Sequence, residues 1–312
     1  MIDNANCQCM IECLHRLWNE VWRSGVVPRS WKLEHRILLP KPGKENYNEC
    51  SSYRTISITD ILGKWFEKVV STRLVCHLEK KGFDECQFAY LKKRSATQAV
   101  LSLAEQIKRN KDNGNLTGVL FFDFTDAFGL VNRVKLIQKL RQDIGITGIL
   151  FLYLISFLSG RQARIKVNTL IGKWIDSVYG TSAGTVLGAV LFLTYVHDTP
   201  DCIKYKFADD LATIAVDNDA RQVEYILQHS LNSMDQWSKK WDMKLNAGKT
   251  KVMLFGSHQV KLNVSLLGLP IEQVSKMKYL GVWLDEHLNF DDQAKYAASK
   301  AKLQEHLQRL TD

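Results

Sequence analysis

The 312 residues carry 42 Lys and Arg against 33 Asp and Glu, a net charge of +9, with 46% apolar and 24% charged residues. That balance excludes a disordered chain and suits a soluble globular protein of one large domain or two to three smaller ones. The positive excess favours a polyanionic partner, because each neutralised phosphate releases a condensed counterion, although many basic proteins touch no nucleic acid. Seven cysteines, odd in number and mostly scattered, make no disulfide framework and fit a reducing, intracellular compartment. Cys7, Cys9, Cys13 and His15 lie close together but lack the paired spacing of zinc ligands. The N-terminus has no apolar core of the signal-peptide kind. The longest apolar run, 146–158, is broken by Thr147, Gly148 and Ser156 and is too short to span a bilayer. Neither secretion nor membrane insertion is expected.

Taken in chain order, residues 5–24 predict a helix from the spacing of Ile11, Leu14, Leu17, Trp18, Val21 and Trp22, stopped by Pro28. A short strand at 35–39 meets the turn-rich Pro40-Lys41-Pro42-Gly43-Lys44. Helices follow over 60–80, ending before Gly82, and over 96–111, with a turn at Asn113-Gly114-Asn115. Residues 118–124 (GVLFFDF) read as an apolar strand holding one acid, Asp123. Helices at 133–142 and 146–158 lead to a strand-like alternation over 161–168. A second acid-bearing β element covers 201–217, then a long amphipathic helix 220–241, a strand 251–255 and a hairpin around 279–283. Helices and strands mix without a regular βαβ alternation, which predicts an α+β fold. The sequence ends inside a helical pattern, so a further C-terminal part is expected.

The most informative constellation is Asp123 with Asp209-Asp210. The acidic pair sits between two β-prone runs, Ile203-Lys204-Tyr205-Lys206 and 211–216, which reads as a hairpin with the acids at its tip. Alone, the dipeptide is better explained as a polar turn. Asp123 shifts the balance, because an acid inside VLFFDF needs a compensating partner. Adjacent carboxylates repel, and a buried pair needs a cation or a proton. Three acids meeting from separate strands suggest a pocket for two divalent ions, with Mg²⁺ the suitable hard cation.

At this point the residues resemble the reverse transcriptases, especially those of non-LTR (LINE- and jockey-like) retrotransposons, over roughly 25–285. The resemblance lies in the order of many motifs. It implies a right-hand polymerase whose antiparallel palm sheet packs on helices. Residues 1–115 would form an N-terminal extension and fingers, 116–256 the palm with connecting helices, and 257–312 the primer-grip hairpin and start of a thumb. The segments Val27 to Lys32 and Leu38 to Gly43 look like the entry into the fingers, and Tyr53-Arg54-Thr55-Ile56-Ser57 like the next fingers motif. By resemblance, Lys41 and Arg54 approach the incoming triphosphate. Gln87-Phe88 and Arg94-Ser95 look like a segment lying on the template. Phe121-Phe122-Asp123 resembles the first palm motif, with Phe128 as the steric gate under the sugar, and 180–198 the second, with Ala183 and Gly184 against the nucleotide. By the same resemblance, Phe207-Ala208-Asp209-Asp210 would be the metal-binding hairpin, Lys249 would protonate the leaving pyrophosphate, and Tyr279-Leu280-Gly281 would grip the primer. The implied reaction is transfer of dNTPs to a primer 3′-hydroxyl on an RNA template, with two Mg²⁺ ions on Asp123, Asp209 and Asp210 and Mn²⁺ as a substitute. RNA, DNA primer and dNTPs are the expected partners, and no membrane.

Several positions depart from the family pattern. Ser182-Ala183-Gly184 stands where relatives usually have Pro-Gln-Gly, and Ala183 lacks the hydrogen bonds of the lost glutamine. Gly129 replaces an acid after the gate, Thr55 and Ala189 replace prolines, and Ala89-Tyr90-Leu91 replaces Gly-Phe-Arg. These changes leave two alternatives beside a working polymerase. One is a catalytically impaired remnant that folds and binds nucleic acid. The other is an unrelated basic binding module, which would have no use for acids aimed at a polyphosphate.

Overall fold

Local chemistry sets the element ends. Asp60, Ser95, Asn132, Thr185 and Asp219 each accept a backbone N–H of the first helical turn that follows, the role short polar side chains play at helix starts. The computed structural model describes residues 4–82, 84–182, 184–256 and 260–311. The chain begins with α1 (Asn4–Ser24), the paired strands β1 (Leu33–Pro40) and β2 (Tyr53–Ile58), α2 (Ile61–Lys80), α3 (Ala96–Asp112) and β3 (Leu116–Phe122). It continues through α4 (Arg133–Gln142), α5 (Gly148–Leu158), β4 (Gln162–Val167), the short β5 (Leu170–Ile171) and β6 (Ile175–Asp176), and α6 (Val186–Val196). Then come β7 (Ile203–Phe207), β8 (Asp210–Asp217), α7 (Ala220–Lys240) and β9 (Lys251–Phe255). Three two-residue strands follow, β10 (Ser265–Leu266), β11 (Leu269–Pro270) and β12 (Glu272–Gln273). The last elements are β13 (Lys276–Tyr279), β14 (Val282–Asp285) and α8 (Asp291–Thr311).

Two compact units are each assembled from two stretches of chain, residues up to 83 with 126–198, and residues 84–125 with those from 199 onward. Helix α3 belongs to the second unit because its buried Val100, Leu103 and Ile107 pack on the β3 sheet, whereas α4, α5 and α6 build the first unit.

In the first unit the strand order is β2-β1-β4-β5, with β6 also on β4; β1 and β4 run parallel and the other pairs antiparallel. Helix α2 packs on α6, and α5 packs on α1 and α4. The apolar helix α6 is buried nearly all round, so its sequence lacks the one-sided stripe of a surface helix. Glu67 of α2 holds its start, its Oε2 accepting the N–H groups of Val186 at 2.8 Å and Leu187 at 3.1 Å.

The second unit is a five-stranded sheet of order β12-β9-β3-β8-β7 between two helices. Its central strand β3 is flanked antiparallel by β8 and β9. Alternation along β3 sends Val119 and Phe121 into the core shared with α3 and the opposite face toward α7. Gly118 marks that opposite face: a Cβ there would meet Val223 Cγ1 at 2.6 Å and Leu227 Cδ1 at 2.7 Å, so α7 seats where a side chain is absent. No helix among the described residues is long and apolar enough to cross a membrane.

Candidate active site

Register brings the acids together. Phe122 of β3 pairs with Leu211 of β8, so continuing the ladder by one residue sets Asp123 across from Asp210 at the end of the sheet. The pair Phe207–Asp210 closes a two-residue turn of Ala208 and Asp209, with Ala208 at φ 55° in the left-handed region. Like charges directly opposite on neighbouring strands repel. This repulsion disfavours the charged forms of both neighbouring carboxyls. Desolvation, then Asp209, then Asp123 push the Asp210 carboxyl up to about 6 from its ordinary 3.8, and because the residue is exposed at the surface the two neighbouring charges are the firmer part of that rise. Asp209 is also raised, by burial and by Asp123, with its own backbone N–H pulling the other way.

Around these acids lies a cleft of about 350 Å³ whose lining includes Asp123, Asp210, Lys249, Lys251, Lys278 and Tyr279. Asp209 is not part of that lining; it lies in the turn, where its charge adds to burial in raising the Tyr90 hydroxyl. The loop before β9 is fastened to the acid strand. The Asn246 N–H donates to the Asp123 carbonyl at 2.9 Å, and the Asp123 N–H to Thr250 Oγ1 at 3.3 Å. Lys249 Nζ therefore stands 3.8 Å from Asp123 Oδ2, a loose, largely exposed ion pair of the kind that contributes little to stability. Its ammonium stays available to the cleft. Tyr279 ends β13, and the turn Leu280-Gly281 with both φ positive leads into β14. The Tyr279 ring lies 5.0 Å from that of Phe121. Burial, then the charge of Asp210, raises its hydroxyl, which meets no hydrogen-bond partner among the described residues.

Arg94 and Ser95 have internal contacts. Arg94 Nη1 donates to the carbonyls of Asp84, Glu85 and Gln87 at 2.8, 3.0 and 2.5 Å, and Ser95 Oγ caps α3 by accepting the Gln98 N–H. In the first unit, Lys41 follows β1 and its N–H donates to the Ser52 carbonyl at 2.8 Å, while Arg54 pairs with Leu39, so both occupy the β1–β2 hairpin. Phe128 stacks on Phe192 with centroids 4.1 Å apart, and its carbonyl accepts the Thr181 N–H at 3.1 Å. Gly184, at φ 105°, comes so close to β2 that a Cβ would lie 2.6 Å from the Ser57 carbonyl, which explains glycine there. Ala183 lies outside the described residues. At Gly129 a Cβ would collide with the Asp126 carboxyl at 2.2 Å, so an acid at 129 would have to displace Asp126.

Sequence reasoning missed the polar frame under these residues. Glu34 is buried and accepts from Arg161 Nε at 2.6 Å, Ser182 Oγ at 2.5 Å and Ser57 Oγ at 3.0 Å. Burial favours its neutral form, but Arg161 and the two-point hydrogen bonding outweigh that and leave its pKa lowered. Buried Arg133 donates to the carbonyls of Leu158, Ser177, Tyr179 and Gly180, and burial brings it down to about 10. A signal for Glu34 existed, a lone acid within the strand 33–40, but its partners are 23 to 148 residues away.

The sequence profile of the reverse transcriptase (RNA-dependent DNA polymerase) family matches residues 39–284. The chain belongs to this family. Among curated reverse transcriptases it is 28% identical over 284 residues to the probable RNA-directed DNA polymerase from transposon X-element of Drosophila melanogaster, covering 88% of this chain and 31% of that protein. It is 25% identical over 307 residues to the RNA-directed DNA polymerase from the mobile element jockey of the same species, covering 93% of this chain and 33% of that one. The relatives are those of non-LTR elements, as the resemblance implied, and the chain spans about a third of their length. Apo telomerase from Candida tropicalis truncated from the C-terminal domain matches with a TM-score of 0.55 at 13% identity, over 89% of this chain and 60% of that chain. A second apo telomerase structure from Candida tropicalis gives 0.53 at 11% identity, over 91% of this chain and 53% of that chain. The fold is that of a right-hand polymerase.

Reverse transcriptases work with divalent cations, and the donor set here fits one. Asp123, Asp209 and Asp210 offer hard oxygen donors whose mutual repulsion a cation relieves. Among the described residues no group of three or more acids, imidazoles or thiols is assembled to hold a metal ion, so the three acids do not form a ready-made site.

Proposed function

We propose that the chain is the polymerase core of an RNA-directed DNA polymerase that adds dNTPs to a primer 3′-hydroxyl on an RNA template. The observation that carries this reading is the register that sets Asp123 against Asp210 at the mouth of a cleft flanked by Lys249, Lys251 and Lys278. In this reading the β3–β8 sheet is the palm, the β1–β2 hairpin belongs to the fingers, and β13–β14 with α8 form the primer-grip hairpin and the start of a thumb. Asp123, Asp209 and Asp210 would hold two Mg²⁺ ions, with Mn²⁺ as substitute. Such ions, when bound, supply charge neutralisation at the polyphosphate and lower the cost of ionising the attacking hydroxyl. The residues of the chain do the positioning. Lys249, held beside Asp123, is placed to give a proton to the leaving pyrophosphate. Lys41 and Arg54 would pair with the triphosphate. Phe128, whose ring is fixed against Phe192, would exclude a 2′-hydroxyl, and Gly184, packed closely on β2, would lie against the nucleotide. Tyr279, Leu280 and Gly281 would bear on the primer.

The test is primer extension on an RNA template with Mg²⁺, comparing the wild type with Asp209→Asn. Extension by the wild type and its loss in the variant supports the reading. Equal signals, or none from either, would leave the impaired remnant suggested by Ala183 and Gly129.

A further inference from the structure

Gln87 is buried at 1% exposure, and its side-chain oxygen accepts two backbone N–H groups, of Ala89 at 2.9 Å and Ala208 at 3.1 Å. Both partners are donors, so the amide must present its oxygen to them. Ala208 is the first residue of the acid-bearing turn and holds φ 55°, a conformation that alanine adopts at a cost. An extended link joins the same two segments. The Phe88 N–H donates to the Lys206 carbonyl at 2.7 Å, and the Lys206 N–H to that of Cys86 at 2.9 Å. Lys206 Nζ pairs with Asp84 at 2.9 Å, with both side chains nearly buried. Arg94 then gathers the carbonyls of Asp84, Glu85 and Gln87 from behind, so residues 84–94 form a fixed seat for the turn.

We propose that Gln87 is a positioning residue for the cation ligands, holding the strained Ala208–Asp209 turn so that Asp209 and Asp210 keep their places beside Asp123. Arg94 serves the same seat rather than a template phosphate. The inference rests on reading those acids as cation ligands, and it gives Gln87 a role that does not require contact with nucleic acid. A glutamine is suited to this: it is neutral, so it adds no charge beside the acids, and one oxygen satisfies two amides that would otherwise be buried without acceptors.

The experiment uses amide hydrogen exchange and a Mn²⁺ titration followed by electron paramagnetic resonance, both without substrate. In the wild type the Ala208 amide exchanges slowly. In Gln87→Leu, which keeps the bulk and removes the acceptor, that protection is lost, the melting temperature stays within a few degrees, and Mn²⁺ affinity falls roughly 10-fold or more. In extension assays kcat falls while KM for the dNTP changes little. Gln87→Glu, which keeps the acceptor, recovers the protection of Ala208. A wild-type Ala208 amide that exchanges like an open turn, or a folded Gln87→Leu protein with unchanged Mn²⁺ affinity, would overturn the proposal. A wild type that binds no Mn²⁺ removes the polymerase reading instead, while exchange at Ala208 still decides whether Gln87 holds the turn.

Discussion

Asp210 pays for its position beside two other acids. Its folded pKa, about 6, lies above the ordinary 3.8, so the folded state binds a proton more tightly than the unfolded one. Its contribution to stability is present below about 3.8 and is lost as pH rises through 6. Asp210→Asn should therefore melt higher than the cation-free wild type at pH 8, with the gap closing toward pH 4, as scanning calorimetry at both values can check. Glu34 has the opposite sign: its folded pKa is lowered from 4.5, so its stabilisation is full above that value and fades as pH falls below it. Glu34→Gln leaves Arg161 buried without its carboxylate, at a cost of about 3–5 kcal/mol near neutrality. Urea unfolding should show that difference at pH 7 and a smaller one below pH 4.5. Lys249→Ala should lower kcat by about 10²-fold, measured in single-turnover extension, since a positioned general acid contributes at least that much. At this scale Asp123 was legible because an acid inside an apolar strand is conspicuous. Gln87 was legible only as part of a motif, since its tie to Ala208 spans 121 residues.

Strong periodicity made most elements readable: the helices 133–142 and 220–241 and the strand 251–255 match α4, α7 and β9 to within a residue at each end. The acid strand was set two residues late, because Gly118 to Phe124 reads apolar apart from Asp123 while the ladder itself runs Leu116–Phe122. Helix α6 was named as a motif and not as a helix, since a segment buried on all sides has no amphipathic signal. The short strands β5, β6 and β10 to β12 depend on pairing partners that two residues cannot announce. Packing between elements yields its own prediction. Gly118→Val places a side chain against Val223 and Leu227 and should lower stability by about 1–3 kcal/mol through overpacking of α7, read as a drop in the thermal midpoint.

Residues 84–125 return to a sheet completed only after 199, so the chain interleaves between two units. Hydrophobic pattern reports which face is buried and not which distant segment covers it. The net charge of +9 predicts that RNA binding weakens steeply between low and moderate salt, as a filter-binding series would show. If the three acids at the end of the β3–β8 sheet hold a cation, the thermal stability of the protein must depend on Mg²⁺. At pH 8, saturating Mg²⁺ should raise the melting temperature of the wild type by a few degrees, since binding to the folded state alone stabilises it. The rise should shrink below pH 6 and vanish in Asp123→Asn and Asp210→Asn. An equal rise in wild type and both variants, or none in the wild type, would contradict the account.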